Sequence, residues 1–120
     1  MKKLVLSDLH ESIGGKMIEF AGYYMSVQYE GVKIEHHTVR NKVGVFDVSH
    51  MGEVFINGDK ALDFLQYITS NDVSKLTPGK VQYTCLPNDT GGIVDDFLLY
   101  MITDNSYLAV VNASNMDKDL

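Results

Sequence analysis

"GGIVDDFLLYMITDNSYLAVVN", Gly91 to Asn112, decides the class of this chain. Two runs rich in Val, Ile, Leu, Phe and Tyr flank the polar tetrad Thr103–Ser106, the pattern of two antiparallel strands joined by a turn. The spacing predicts strands over Ile93–Ile102 and Tyr107–Asn112. Side chains alternate along a strand, so Asp96 shares a face with Val94, Leu98, Tyr100 and Ile102. Asp95 shares the other face with Ile93, Phe97, Leu99 and Met101. The two carboxylates therefore cannot act as a dyad. Both faces are apolar, so at least one carboxylate sits in a partly dry setting, where desolvation raises its pKa unless hydrogen bonds compensate. Burial of that kind points to a site, or to a strand-end Asp that caps a neighbouring turn. On the residues alone the two readings weigh equally.

Register adds a condition. Asn112 can face the same pocket as Asp96 only if the ladder pairs 96 with 112. A regular two-residue loop at Asp104-Asn105 would instead set Asn112 opposite Phe97. Pairing 96 with 112 needs a three-residue loop or a bulge.

Working outward, Val81–Leu86 reads as a strand between two turns, "LTPGK" and "PNDTGG". Val45–Val48 and Glu53–Ile56 read as strands around a Ser49–Gly52 corner. Asp59 is placed to cap a helix with Leu62, Leu65 and Ile68 on one face and Asn71 near its end. An earlier helix spans Gly31–Val43, with Val32, His36, Val39 and Val43 at helical spacing and Gly44 as its stop. Ser7–Ile13 is a short helix with Ser7 as cap, ended by Gly14-Gly15, and Lys16–Phe20 is a strand. "SNMD", Ser114–Asp117, has capping-box spacing and announces a helix beginning near Ser114. The chain stops one turn later, and an isolated helix that short is unstable. The expectation is an α+β architecture of mostly antiparallel strands with a few short helices, with residues 1–120 cut from a longer protein.

The 120 residues carry a net charge of −6, with 45% hydrophobic and 22% charged residues. That is a globular composition, and no basic cluster offers a nucleic-acid footprint. No apolar stretch approaches the ~20 residues of a membrane span. The Met1–Leu6 start loses its resemblance to a signal peptide at Ser7, Asp8 and His10. Cys85 is the single cysteine and has no partner for a disulfide or a CxxC motif. A soluble, intracellular protein is expected, and the lack of a transit peptide suggests a prokaryotic cytoplasm.

Of the four histidines, His36 and His37 are adjacent on a helix and point about 100° apart, so they do not chelate one ion. One facing the core and one solvated is the ordinary expectation. His10 and His50 lie at no ligand spacing, and no metal site is expected. His50 lacks a visible partner for general-base work, so it is read as shaping its corner. Tyr83 and Tyr100 offer an aromatic wall for a flat ligand, or are ordinary strand residues. Asn112 caps the following helix or binds a ligand. Gly14-Gly15 and Gly91-Gly92 lack phosphate-loop spacing. Cys85 reads as a small core residue.

In order along the chain, "LHESIGGKMIEFAGY", "EHHTVRNKVGVFDVSHMGE", "ITSNDV", "QYT", "GGIVDDFLLY" and "VVNASNMDKD" resemble the first third of the aminomethyltransferase, or T-protein, family of the glycine cleavage system. The resemblance implies the N-terminal part of a folate-binding fold. It also implies transfer of a one-carbon unit from the aminomethyl-lipoyl arm of the H-protein to tetrahydrofolate, with release of ammonia. Carried over by position, Asp96 is the catalytic carboxylate beside the reacting folate nitrogens, and Met51, Tyr83, Tyr100 and Asn112 line the folate pocket. Ser26 stands where the family commonly has Pro, and Phe97 where smaller aliphatics are common. The resemblance also admits a folate-binding iron–sulfur maintenance protein without transferase activity, whose Lys-Gly-Cys signature lies beyond this segment. Further alternatives are the folate domain of a dimethylglycine or sarcosine oxidising enzyme and a stand-alone binding module. The 120-residue segment by itself is expected to be inactive.

Overall fold

The computed structural model describes residues 1–119 and has an α+β architecture that divides into two units, Met1–His50 and the chain from Met51 onward.

In the first unit, β1 (Lys2–Lys3) pairs in parallel with β3 (Tyr23–Gln28), which pairs antiparallel with β2 (Lys16–Phe20), giving the order β1-β3-β2. β2 lies where the sequence sets it; β1 and β3 were not legible from the pattern. β2 and β3 close through Ala21-Gly22, both at positive φ (50° and 84°), the geometry of a two-residue type I′ turn. α1 (Ser7–Ser12) ends as expected. Gly14, at φ 84°, donates to Glu11 O and Gly15 to His10 O, the paired bonds of a Schellman motif. Ser7 is not its cap. The Ser7 hydroxyl accepts from Leu4 N (2.9 Å) and donates to Tyr24 O (3.1 Å), so this buried serine ties α1 to β3 instead.

α2 (Val32–Asn41) is shorter than expected and stops before Gly44, at Lys42, which leaves the helical conformation. Glu35 Oε1 accepts from Tyr29 N and Gly31 N, which satisfies free donors at its start and holds the Glu35 carboxyl below its ordinary pKa. No residue of α2 is buried, so His36 and His37 are both exposed and neither faces a core. Val45–Val48 is not a strand. β-branched residues realise their strand preference only against a neighbouring strand, and this segment has none; Val45 is 97% exposed.

In the second unit, β4 (Gly52–Asn57), β5 (Val81–Pro87), β6 (Ile93–Thr103) and β7 (Ser106–Val111) form one antiparallel sheet in the order β4-β7-β6-β5. α3 (Ala61–Ile68) and a 3₁₀ turn (Val73–Lys75) supply the apolar cover of one face. There Ala61, Leu65, Val73 and Leu76 pack with Phe97, Leu99, Met101, Tyr107, Ala109 and Val111. The stripe of α3 that meets this core is Ala61, Leu65 and Ile68; Leu62 lies outside it. Asp59 does not cap α3. The chain enters the helix through a backbone turn, Ala61 N to Gly58 O (3.0 Å), with Lys60 at the cap position. Asp72 caps the 3₁₀ turn by accepting from Ser74 N.

Gly52 is required by close approach. A Cβ there would lie 2.7 Å from Val111 Cγ2 and 2.8 Å from Met116 Cγ. α4 begins at Met116, and Ser114 makes no capping-box bond to Asp117 among the described residues. Asn115 precedes the helix, and its backbone carbonyl takes the first bonds, from Lys118 and Asp119.

Candidate functional site

The two faces of the second sheet differ. The face carrying Asp95, Phe97, Leu99 and Met101 is covered. The opposite face carries Asp96, Leu98 and Tyr100 of β6, Val81, Tyr83 and Cys85 of β5, and Leu108 and Val110 of β7, since partners across an antiparallel ladder point the same way. It remains open: Tyr83 is 59% exposed and Val81 49%.

Alternation therefore splits the adjacent aspartates. Asp95 is the buried one, 5% exposed on the core side, and Asp96 is half-buried on the open side. Asp96 Oδ2 accepts from the Tyr83 hydroxyl at 2.7 Å. That bond, with partial desolvation and the nearby carboxylate charge, pushes Tyr83 up to about 12, so it stays a phenol and a donor.

Asn112 follows β7 and is brought to Asp96 by a bulge. Thr103 pairs with Ser106 around a two-residue loop, but Met101 pairs with Tyr107, leaving Ile102 as the extra residue. The remaining pairs, Leu99 with Ala109 and Leu98 with Val110, extrapolate to Asp96 with Asn112. Asn112 Nδ2 donates to Asp96 O (2.8 Å) and Asp95 Oδ1 (3.0 Å), and lies 3.5 Å from Asp96 Oδ1. Tyr100 is four residues beyond Asp96 on the same face, about 13 Å along the strand. Met51 immediately precedes Gly52, which pairs with Val111, so it stands at the same end of the sheet as Asn112. The structure thus joins Asp96 separately to Tyr83 and to Asn112, sets Tyr100 farther along the face of Asp96, and brings Met51 to the end of the sheet where Asn112 lies.

Sequence reasoning passed over two further groups, Asn115 and Asp119, which gather on Asp95. Asn115 Nδ2 also donates to Asp95 Oδ1, at 2.7 Å. Burial pushes Asp95 up, yet the bonds from Asn112, Asn115 and Asp119 carry it below its ordinary pKa. Asp119 is the partner that yields: burial and the bond with Asp95 push it up to about 6. Asp95 Oδ2 and both Asp119 oxygens are enclosed without a donor among the described residues, the arrangement of two carboxyls that share one proton. The "NASN" spacing, with amides at 112 and 115, was the available signal for this cluster.

A second polar cluster lies wholly within the first unit. His10 Nε2 bonds Asp47 Oδ2 (2.8 Å), and the Tyr29 hydroxyl bonds His10 Nδ1 (2.6 Å). Ser49 donates to Asp47 Oδ1 through both its backbone N–H and its hydroxyl. The Ser49 hydroxyl, followed by His10, holds Asp47 down at about 2. A carboxylate accepts only, so Nε2 carries the proton toward Asp47, and in the neutral ring Nδ1 accepts from Tyr29. This cluster fastens the irregular Val43–Val48 segment. His50 packs edge-on against Phe20 and Tyr23, with ring centroids 5.9 and 6.4 Å away.

Residues 6–120 match the family model described as the GCVT N-terminal domain. Among curated relatives, the aminomethyltransferase of Flavobacterium psychrophilum is 62% identical over 119 residues, covering 99% of this chain and 33% of that protein. The aminomethyltransferase of Bdellovibrio bacteriovorus is 58% identical over 120 residues, again 99% of this chain and 33% of its own length. The crystal structure of glycine cleavage system aminomethyltransferase T from Bartonella henselae superposes with a TM-score of 0.93 at 39% identity, over 98% of this chain and 33% of that one. The chain spans about a third of the length of the relatives it matches.

Proposed function

The chain belongs to the GCVT N-terminal domain family, and from that premise we propose that it is part of a tetrahydrofolate-dependent aminomethyltransferase of the glycine cleavage system. In the full-length protein the open face of β5, β6 and β7 receives tetrahydrofolate, and Asp96 is the catalytic carboxylate. The observation that carries this reading is the contact of Tyr83, Asp96 and Asn112 on one uncovered, largely apolar face. The relatives' printed names supply the reaction class.

The residues fit a flat, amine-bearing acceptor. Tyr83 and Tyr100 offer ring surface, Leu98 and Val81 offer apolar area, and Asp96 and Asn112 supply polar groups at one end. Met51, a flexible thioether next to Gly52, would adapt to a ligand at that end. The substrate methylene arrives as an aminomethyl group on the lipoyl arm of the H-protein and leaves bonded to tetrahydrofolate, with ammonia and the dihydrolipoyl thiol as the other products. Asp96 stabilises positive charge at the attacking folate amine and handles its proton as ammonia departs. Tyr83 orients Asp96 by donating to Oδ2 and leaves Oδ1 for the reacting group. A reduced pteridine and a dithiol product require a reducing compartment, so a cytoplasmic location belongs to the same proposal. Among the described residues no helix is long and apolar enough to cross a membrane.

The test is tetrahydrofolate binding and single-turnover transfer from aminomethyl-loaded H-protein, in the full-length protein and its Asp96→Asn variant. The expected result is retained binding with transfer lowered by ~10²–10⁴-fold. A full-length protein that binds tetrahydrofolate but transfers nothing with Asp96 intact overturns the transferase reading.

A further inference from the structure

We infer that Asp95, on the buried side of the sheet, fixes the polarity of Asn112, so that the one polar atom Asn112 offers a ligand is its carbonyl oxygen. The inference rests on the reading of the open face as the ligand site and goes beyond it, because Asp95 touches no ligand. It is a positioning residue.

An Asn amide has two N–H donors on Nδ2 and acceptor capacity on Oδ1. Here Nδ2 lies 2.8 Å from Asp96 O and 3.0 Å from Asp95 Oδ1, so both donors are consumed by protein oxygens. The third contact, 3.5 Å to Asp96 Oδ1, is too long to compete with them. Turned over, the amide would put Oδ1 against a carboxylate and a carbonyl, neither of which donates. The unflipped orientation is therefore the only one that satisfies the site. No described donor reaches Asn112 Oδ1, and that oxygen is not among the enclosed ones.

Asp95 is itself held in place. Asn115 donates to the same Oδ1 at 2.7 Å, and the residue is 5% exposed. Hydrogen bonds to an ionised acceptor are the stronger kind, so the Asn112 amide is gripped at the end where the charge is buried.

The consequence is a rule of specificity. Asn112 Oδ1 and the Asp96 carboxylate both accept, and the Tyr83 proton is already given to Asp96. The ligand edge at this end of the sheet must therefore bring N–H or O–H donors. A ring atom presenting a lone pair to Asn112 is rejected, because the amide cannot turn to meet it.

Two measurements on the full-length protein test this. In the first, the ligand-free protein is labelled at its Asn side chains and followed by NMR. The Asn112 Nδ2 protons are expected to exchange slowly, with one shifted downfield by its carboxylate partner, and that shift is expected to collapse in Asp95→Asn. Side-chain protons that exchange as freely as those of an exposed Asn overturn the inference, whatever the ligand is. In the second, tetrahydrofolate dissociation constants are taken for Asp95→Ala, Asn112→Ala and the double variant. Each single change is expected to weaken binding about tenfold, the size of one hydrogen bond, and the double variant to be no weaker than about twofold beyond Asn112→Ala. Independent, multiplying losses overturn the inference. Asp95→Asn keeps an acceptor toward Asn112 and is expected to bind within about threefold of the unaltered protein, which also covers the case in which Asp95→Ala fails to fold. A protein with slow, downfield Asn112 protons that binds no tetrahydrofolate leaves the polarity assignment supported and removes the folate reading alone.

Discussion

Asp96 and Asn112 meet across the β6–β7 ladder because Ile102 is looped out of the pairing, which converts the register of a two-residue hairpin into the one that aligns them. Ile102 is 47% exposed, so it contributes little to the core. Deleting it closes Met101 directly onto Thr103 and leaves their partners Tyr107 and Ser106 unchanged. The expected outcome is a straighter strand with 96 still aligned to 112 and stability within ~1 kcal/mol of the original. Nuclear Overhauser contacts between residues 96 and 112, together with chemical denaturation, check it. Loss of those contacts would show that the bulge holds the register by some other means.

Among the described residues, Tyr83 gives Asp96 its one side-chain donor at close range. Tyr83→Phe is expected to lower transfer about tenfold in the full-length protein while leaving the fold intact, the effect of one charge-assisted hydrogen bond. Its pKa provides a direct readout. Raised to about 12, the phenol should remain protonated at about pH 11, where ordinary tyrosines have titrated. In Asp96→Asn it should fall back toward 10.0. Ring-labelled tyrosine followed by NMR distinguishes the two cases.

Asp119 contributes to the stability of the second unit in acid and loses that contribution as the pH approaches neutrality. Its folded pKa is raised from 3.8 to about 6, so the folded state binds the proton more tightly than the unfolded one. Its contribution is fully present below pH 3.8 and is lost as pH rises through about 6. Asp95 and Asp47 are lowered and act oppositely, contributing above their ordinary pKa values and failing as pH falls. Asp119→Asn supplies a donor to Asp95 at every pH. Denaturation midpoints should therefore rise at pH 7.5 and change less at pH 5. A variant that gains equally at both would show that Asp119 does not share its proton with Asp95.

The β2–β3 turn carries a residue suited to something else. Ala21 sits at φ 50°, in the left-handed region that costs an L side chain about 1 kcal/mol, where Asn is better accommodated. Ala21→Asn is expected to stabilise the first unit by about 0.5–1 kcal/mol, seen as a higher denaturant midpoint with an unchanged slope.

The α+β class and the strands β2, β4, β5, β6 and β7 were legible because half-buried strands show an alternating pattern and their turns carry Pro, Gly or Asn. β3 was hidden: "YYMSVQ" has Tyr, Met and Ser at positions that do not separate by polarity, and most of its residues are half-buried on either side. Val45–Val48 misled in the other direction, since its residues favour a strand that no neighbour provides. Of the expected caps, Ser7 has the side chain a cap needs but spends its hydroxyl on Leu4 and on the distant strand β3. At the site, alternation correctly separated the two aspartates but left open which was buried. Only α3 and the core it covers answer that, since α3 lies against the Asp95 face.

Tyr83, Asp96, Tyr100 and Asn112 all lie on or at the end of three strands that follow one another directly in sequence, whereas Met51 rides with β4, whose pairing with β7 joins Gly52 to Val111. Short loops close at a small entropic cost and long ones at a larger one. We therefore expect the polar cluster to assemble early, as a three-stranded meander, with β4 docking onto its β7 edge last. Pulse-labelled hydrogen exchange would show protection of β5 and β6 before β4, and the reverse order would reject this. The order of assembly means that a chain interrupted during folding passes through a state with the Tyr83–Asp96 bond already made and the β7 edge still bare, a surface open to pairing with another copy.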